Sequence, residues 1–129
     1  VAVNNIVGKS DTMAYNAVPA VVYTNPEVAG VGLTEDELKA QGRSYSVRKL
    51  PMTFSGRFVA ENEGGNGLCK LIFDDRNIIV GCHMIGNPSS EIIAVAALAI
   101  EQQLTAERFE KLIFPHPSVG EIIKETLFA

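Results

Sequence analysis

Leu68-Cys69-Lys70-Leu71-Ile72-Phe73, then Asp74-Asp75-Arg76-Asn77, then Ile78-Ile79-Val80-Gly81-Cys82-His83-Met84-Ile85 is the stretch that decides the fold class of this chain. Two runs of strand-favouring side chains flank four residues of turn-forming type, the pattern of an antiparallel hairpin. Directly downstream, Asn87-Pro88 offers an N-cap followed by proline at the first helical position, and the pattern predicts a helix continuing to about Gln103. Within it Ile92, Ile93, Val95, Leu98 and Ile100, with alanines between them, cover nearly the whole circumference. A helix apolar on all sides must be covered on more than one, either by the sheet and other helices or by a second subunit.

Upstream of the hairpin the same period-two signal recurs. Pro19 to Thr24 and Val28 to Leu33 read as strands about a turn at Asn25-Pro26, and Tyr45 to Phe54 alternates as a third. Between them Thr34 opens a short helix, with Glu37 completing a capping box and Gly42 as the stop. Ser55 to Gly67 reads as a polar, glycine-rich connection, and Thr105 to about Lys111 as a further short helix. Strands in one block with helices after them predict an α+β domain, an antiparallel sheet covered on one face by helices. Val1 to Gly8 reads as the end of a helix whose beginning is missing. Residues 1–15 are therefore expected to be a linker or the tail of a preceding domain, and 16–129 one domain.

With 129 residues, 47% of them hydrophobic, the chain can bury one sizeable core but hardly two. Eleven basic against fifteen acidic side chains give a net charge of −4, and no Lys/Arg run could track a phosphate backbone, so no nucleic-acid partner is expected. The longest apolar stretch, Ile92 to Ile100, is about half of what a bilayer span needs, and no leader pattern opens the chain; no membrane association and a cytoplasmic location are expected. Cys69 and Cys82 stand in separate strands without a C-x-x-C or paired histidines, which reads as two packed, reduced thiols. Alternation puts Cys82 and His83 on opposite faces of one strand, so no metal site is expected there.

Proton chemistry is concentrated in Phe114-Pro115-His116-Pro117-Ser118-Val119-Gly120-Glu121. Pro117 turns His116 away from helical conformation, so the imidazole is presented from a stiff extended segment. Ser118 can cap a short helix whose third residue is Glu121, which brings the carboxylate back toward the ring. A histidine oriented by a carboxylate is the working pair of an acid/base catalyst. The same spacing serves equally as a capping box, with both side chains satisfying the helix start, and neither role excludes the other. No G-x-S-x-G elbow is present, and Gly64, Gly65 and Gly67 precede a strand where a phosphate cradle would precede a helix. The remaining parts of any active site have to come from another chain or from upstream residues.

Pro19 through Glu35, the Gly67-Leu68-Cys69-Lys70 strand and the terminal His116-Pro117-Ser118-x-x-Glu121 resemble, in order, the C-terminal dimerisation domain of the flavin-dependent pyridine nucleotide-disulfide oxidoreductases. Val1 to Gly8 is similar to the tail of their preceding flavin-binding domain. The Ile113 to Lys124 stretch and the Glu125-Thr126-Leu127-Phe128 ending are similar to the dihydrolipoamide dehydrogenases of that family. The resemblance implies a homodimer whose upstream domains bind FAD and NAD, with neither cofactor held by the present residues alone. It implies that His116 deprotonates a dihydrolipoyl thiol at the partner subunit's redox disulfide, that Glu121 orients and charge-stabilises it, and that Pro117 lies against the partner subunit's flavin. It also implies a lipoyl domain of a 2-oxoacid dehydrogenase or glycine-cleavage complex as a partner, and no activity from the 129 residues by themselves. Phe114 departs from the pattern, because dihydrolipoamide dehydrogenases often carry a second histidine at that position. A glutathione- or other disulfide reductase is the alternative that this departure leaves, and a purely structural dimerisation module is the alternative from another class. The family's pattern also leads us to expect cis peptides before Pro26 and Pro117.

Overall fold

The computed structural model describes residues 1–129. A five-residue helix α1 (Ala2–Ile6) ends before Gly8, and a 3₁₀ turn (Tyr15–Ala17) leads into β1 (Ala20–Val22), β2 (Val28–Gly32), α2 (Glu35–Ala40) and β3 (Tyr45–Pro51). After a second 3₁₀ turn (Met52–Phe54) come α3 (Gly56–Glu61), β4 (Leu68–Asp74), β5 (Ile79–Ile85), α4 (Ser89–Glu101), α5 (Ala106–Glu110), α6 (Glu121–Glu125) and a closing 3₁₀ turn (Thr126–Phe128). The strands form one antiparallel sheet in the order β1-β2-β5-β4-β3.

The hairpin is its centre. Leu68 faces Ile85 and Leu71 faces Cys82 across β4 and β5, with a register shift between Ile72 and Phe73. Asp74 turns the chain by accepting the amides of Arg76 and Ile78 on one carboxylate oxygen, and Asn77 takes the left-handed conformation. Alternation then sends Cys69, Leu71 and Phe73 of β4, Cys82 and Met84 of β5, and Ala29 and Val31 of β2 into one core. Helix α4 lies over β2 and β5 and closes that core with Ile93, Ala96, Ala99 and Ile100, the alanines letting its backbone come close to the sheet. At the end of β2 the strands themselves come close: Gly32 has φ +78°, and a Cβ there would lie 2.3 Å from the carbonyl oxygen of Val80 in β5.

Helix α6 is too short to be stable alone, since isolated helices need roughly twelve residues or more. Packing holds it, because Ile122 and Ile123 are both fully buried, worth about 2 kcal/mol each on an area basis. Arg48 of β3 ties down the closing 3₁₀ turn: its guanidinium donates to the Leu127 carbonyl and lies 4.7 Å from the centre of the Phe73 ring.

The other sheet face is only partly covered. Helix α2 sits there with Leu38 buried, and Glu35 pairs with Lys70 at 3.1 Å. Beyond it Val22, Val28, Ile85, Leu68 and Pro51 are in register across all five strands and stay exposed.

The α+β class, the central hairpin, the Thr34–Glu37 capping box and the cis peptides at Asn25-Pro26 and His116-Pro117 are as the sequence predicts. Three local expectations are corrected. The third strand stops at Pro51, where the chain turns into a 3₁₀ segment. The connection from Ser55 to Gly67 contains α3, capped by Ser55 and rooted by the buried Phe58. Asn87 does not cap α4: Asn87-Pro88 is also cis, the helix starts at Ser89, and Glu27, from the β1–β2 turn, accepts the Ser90 amide instead. Asn87 is used elsewhere, accepting the Glu27 amide and donating to the Asn25 side chain, which braces the two Asn-Pro turns against each other.

Candidate functional site

The segment between α5 and α6 carries the His116 loop. It is fixed at both ends, by Phe114 packing against Phe109 with ring centres 6.0 Å apart and by Val119 buried beneath it. Lys124 of α6 reaches back to donate to the Leu112 carbonyl at 2.9 Å. Between these anchors the imidazole of His116 projects outward, 83% exposed. Its Nδ1 lies 2.6 Å from Oε2 of Glu121, a side chain only 19% exposed.

Glu121 works with both oxygens, since Oε1 accepts the Ser118 amide at 3.1 Å while Oε2 meets the ring. The Ser118 N–H, followed by the imidazole, holds this carboxyl below the ordinary glutamate range. An ionised carboxylate only accepts, so the proton of neutral His116 sits on Nδ1 and the Nε2 lone pair faces outward. The arrangement can take a proton from a group presented to that open face and stabilise the resulting imidazolium.

Part of the expected capping geometry is absent. Helix α6 begins at Glu121, after Gly120, and no side chain caps it. Ser118 Oγ is buried without a partner, so the carboxylate half of the box forms and the hydroxyl half does not. Glu121 thus serves the backbone and the ring at once.

Two groups around the loop are not apparent from the sequence pattern. The Ser55 hydroxyl, at the start of α3, donates to the Ser118 carbonyl at 3.1 Å. An open groove of about 400 Å³ separates α3 from the loop, lined by Arg57, Glu61, Ile92, Pro115 and Pro117. A serine followed by Phe58 and an Arg57–Glu61 pair at helical spacing was the available signal for α3. Nothing local in the sequence signals a contact 63 residues away.

The other reactive side chains lie apart from this site. Cys69 and Cys82 are unbridged and face the core on neighbouring strands. Hydrogen bonding to Cys69, with burial added, pushes the Cys82 thiol well above the ordinary range. His83 points to the outer face, against Gly30, and burial pulls its imidazole below the ordinary range. Gly64, Gly65 and Gly67 lead into β4, not into a helix, so these glycines do not form the strand-to-helix turn of a phosphate cradle. Pro117, next to His116, lines the groove together with Pro115.

Residues 18–127 match the family described as the pyridine nucleotide-disulphide oxidoreductase dimerisation domain. The chain belongs to this family. Among curated relatives of this dimerisation domain, dihydrolipoyl dehydrogenase 3 of Pseudomonas putida is 37% identical over 124 residues, 95% of the chain and 26% of the relative. The mitochondrial dihydrolipoyl dehydrogenase of Caenorhabditis elegans is 38% identical over 128 residues, 98% of the chain and 26% of the relative. The chain therefore spans about a quarter of the length of such relatives. In solved structures the same fold recurs in LpdA of Mycobacterium tuberculosis, with TM-score 0.86 at 22% identity over 98% of this chain and 28% of that one. The flavoprotein disulfide reductase RclA of Escherichia coli gives 0.83, also at 22% identity, over 98% of this chain and 30% of that one. Membership in the family implies a homodimer, and FAD and NAD as the cofactors of the full-length enzymes. No helix of the domain is long and apolar enough to cross a membrane.

Proposed function

We propose that residues 16–129 are the dimerisation domain of a dihydrolipoyl dehydrogenase, residues 1–15 the tail of its flavin-binding domain, and His116 the base that completes the partner subunit's site. The observation that carries this reading is the 2.6 Å contact between His116 Nδ1 and Glu121, which leaves Nε2 free on an exposed ring. A thiol of ordinary pKa about 8.5 is only a few per cent ionised at pH 7, so a dithiol substrate needs a positioned base to become a thiolate. Nε2 takes that proton. The thiolate is then free to attack the redox disulfide, and Glu121, already ionised, stabilises the imidazolium that results.

FAD and NAD in the full-length enzyme supply the two-electron acceptor chain. Of the present residues only Pro117 is assigned a contact with the partner's flavin. The relatives' names favour a dihydrolipoyl dithiol over a glutathione-type disulfide as substrate; its source in this reading is the lipoyl domain of a 2-oxoacid dehydrogenase or glycine-cleavage complex. The two unbridged thiols suit a reducing compartment such as the cytoplasm. Replacing His116 with Ala in the full-length enzyme is expected to remove dihydrolipoamide-dependent turnover and to spare electron transfer from NADH to an artificial acceptor. Equal loss of both, or no loss, would reject the role and leave a structural dimerisation module.

A further inference from the structure

We propose that Ser55 is a positioning residue for the His116–Glu121 pair: its hydroxyl anchors the Ser118 carbonyl and so holds the Ser118 backbone, whose N–H, on the other side of the same Cα, aims the Glu121 carboxylate at the imidazole. The inference rests on the reading of that pair as the acid/base centre. Ser55 is 3% exposed, in the connection between β3 and β4. Its oxygen accepts the Phe58 N–H at 3.2 Å while its proton is donated to the Ser118 carbonyl at 3.1 Å. The direction is unambiguous, because a carbonyl can only accept and an amide N–H can only donate.

From Ser118 the path continues through two more contacts. The Ser118 N–H donates to Glu121 Oε1 at 3.1 Å, and Oε2 meets His116 Nδ1 at 2.6 Å. The hydroxyl of Ser118 has no partner and cannot hold this stretch of backbone in place. Lys124 clamps the other end of the loop at Leu112, and its ammonium makes no hydrogen bond or ion pair to Ser118 or Glu121. The far end of the path is solid, since Phe58 of α3 is buried in the core cluster. A serine that only capped α3 would need the Phe58 bond alone. The second bond, to a peptide adjoining the catalytic segment, is what gives Ser55 a further role.

Glu121 reports on this path, because the Ser118 amide is the principal group holding its carboxyl below the ordinary range. The test is a carbon-13 NMR titration of the Glu121 carboxyl in this chain. Ser55→Ala is expected to raise its midpoint toward the ordinary glutamate value by about half a pH unit, and Ser55→Thr, which keeps the hydroxyl, to leave it unchanged. A midpoint that stays put in a folded Ser55→Ala chain overturns the proposal, whatever the loss in melting temperature. If the alanine variant does not fold, Ser55→Cys, similar in shape and weak in hydrogen bonding, takes its place with the same two outcomes. The titration needs neither substrate nor flavin, so it is separable from the catalytic reading, which His116→Ala tests by itself. In a full-length enzyme that His116→Ala inactivates, Ser55→Ala should lower dithiol-dependent kcat about tenfold and spare NADH oxidation by an artificial acceptor. Unchanged kcat there would equally overturn the positioning role.

Discussion

Glu121 is the residue whose environment makes the sharpest demands. Its carboxylate serves an amide and an imidazole together, so replacing it with Gln should cost dithiol oxidation about 10- to 100-fold in steady-state assays of the full-length enzyme. The acceptor reaction with NADH should be spared. Its carboxyl is lower in the folded chain than in the unfolded one, so its stabilisation is fully present above the unfolded pKa and is lost as pH falls through the folded one. Melting curves of the wild type and Glu121→Gln should therefore differ most near neutral pH and converge in acid, below the usual glutamate range; a gap that persists there would contradict the assignment. The His116–Glu121 partnership was legible because a five-residue spacing with a proline in between leaves few other ways for the two side chains to meet. The idle Ser118 hydroxyl was not, because whether a serine caps depends on where the helix begins, and here the carboxylate had already taken its amide. The thiols make the opposite case. Both are buried, so Ellman's reagent should find no reactive cysteine in the native chain and two after denaturation.

Elements were readable where local chemistry and tertiary packing agree. Helix α2 carries its own start signal: Thr34 Oγ1 accepts the Glu37 amide at 3.2 Å and Glu37 accepts the Thr34 amide at 2.8 Å. The hairpin carries both alternation and turn chemistry. Helix α3 was hidden because Gly56 sits in its first turn and glycines crowd its exit, so local propensity argues against what Phe58 gains by burial. The start of α4 was misplaced because its cap comes from Glu27, 63 residues away, whereas Asn87 is spent on the neighbouring turn. This ordering of local and tertiary terms can be tested by denaturant unfolding. Thr34→Ala should cost about 1 kcal/mol, the value of an N-cap. Gly32→Ala should cost at least about 2 kcal/mol, since it adds left-handed strain to a backbone clash with Val80. If Gly32→Ala were the milder of the two, the close approach of β2 to β5 would not be what limits that position.

At the scale of the whole molecule, the role proposed for His116 requires a group from outside the domain to meet its exposed imidazole. A site completed across a two-fold axis has a consequence that one completed within a subunit lacks. Consider a full-length hybrid in which one subunit carries His116→Ala and the other has its redox disulfide disabled. If His116 acts on the partner, one of the two sites in the hybrid is whole, because the intact disulfide faces the intact histidine. If it acts within its own subunit, neither site is whole. Mixing and reassociating equal amounts of the two inactive homodimers should then restore about a quarter of wild-type turnover, since half the dimers are hybrids with one working site each. Reassociation without recovered activity, with hybrid formation verified by native mass spectrometry, would put His116 in its own subunit's site or outside the chemistry altogether.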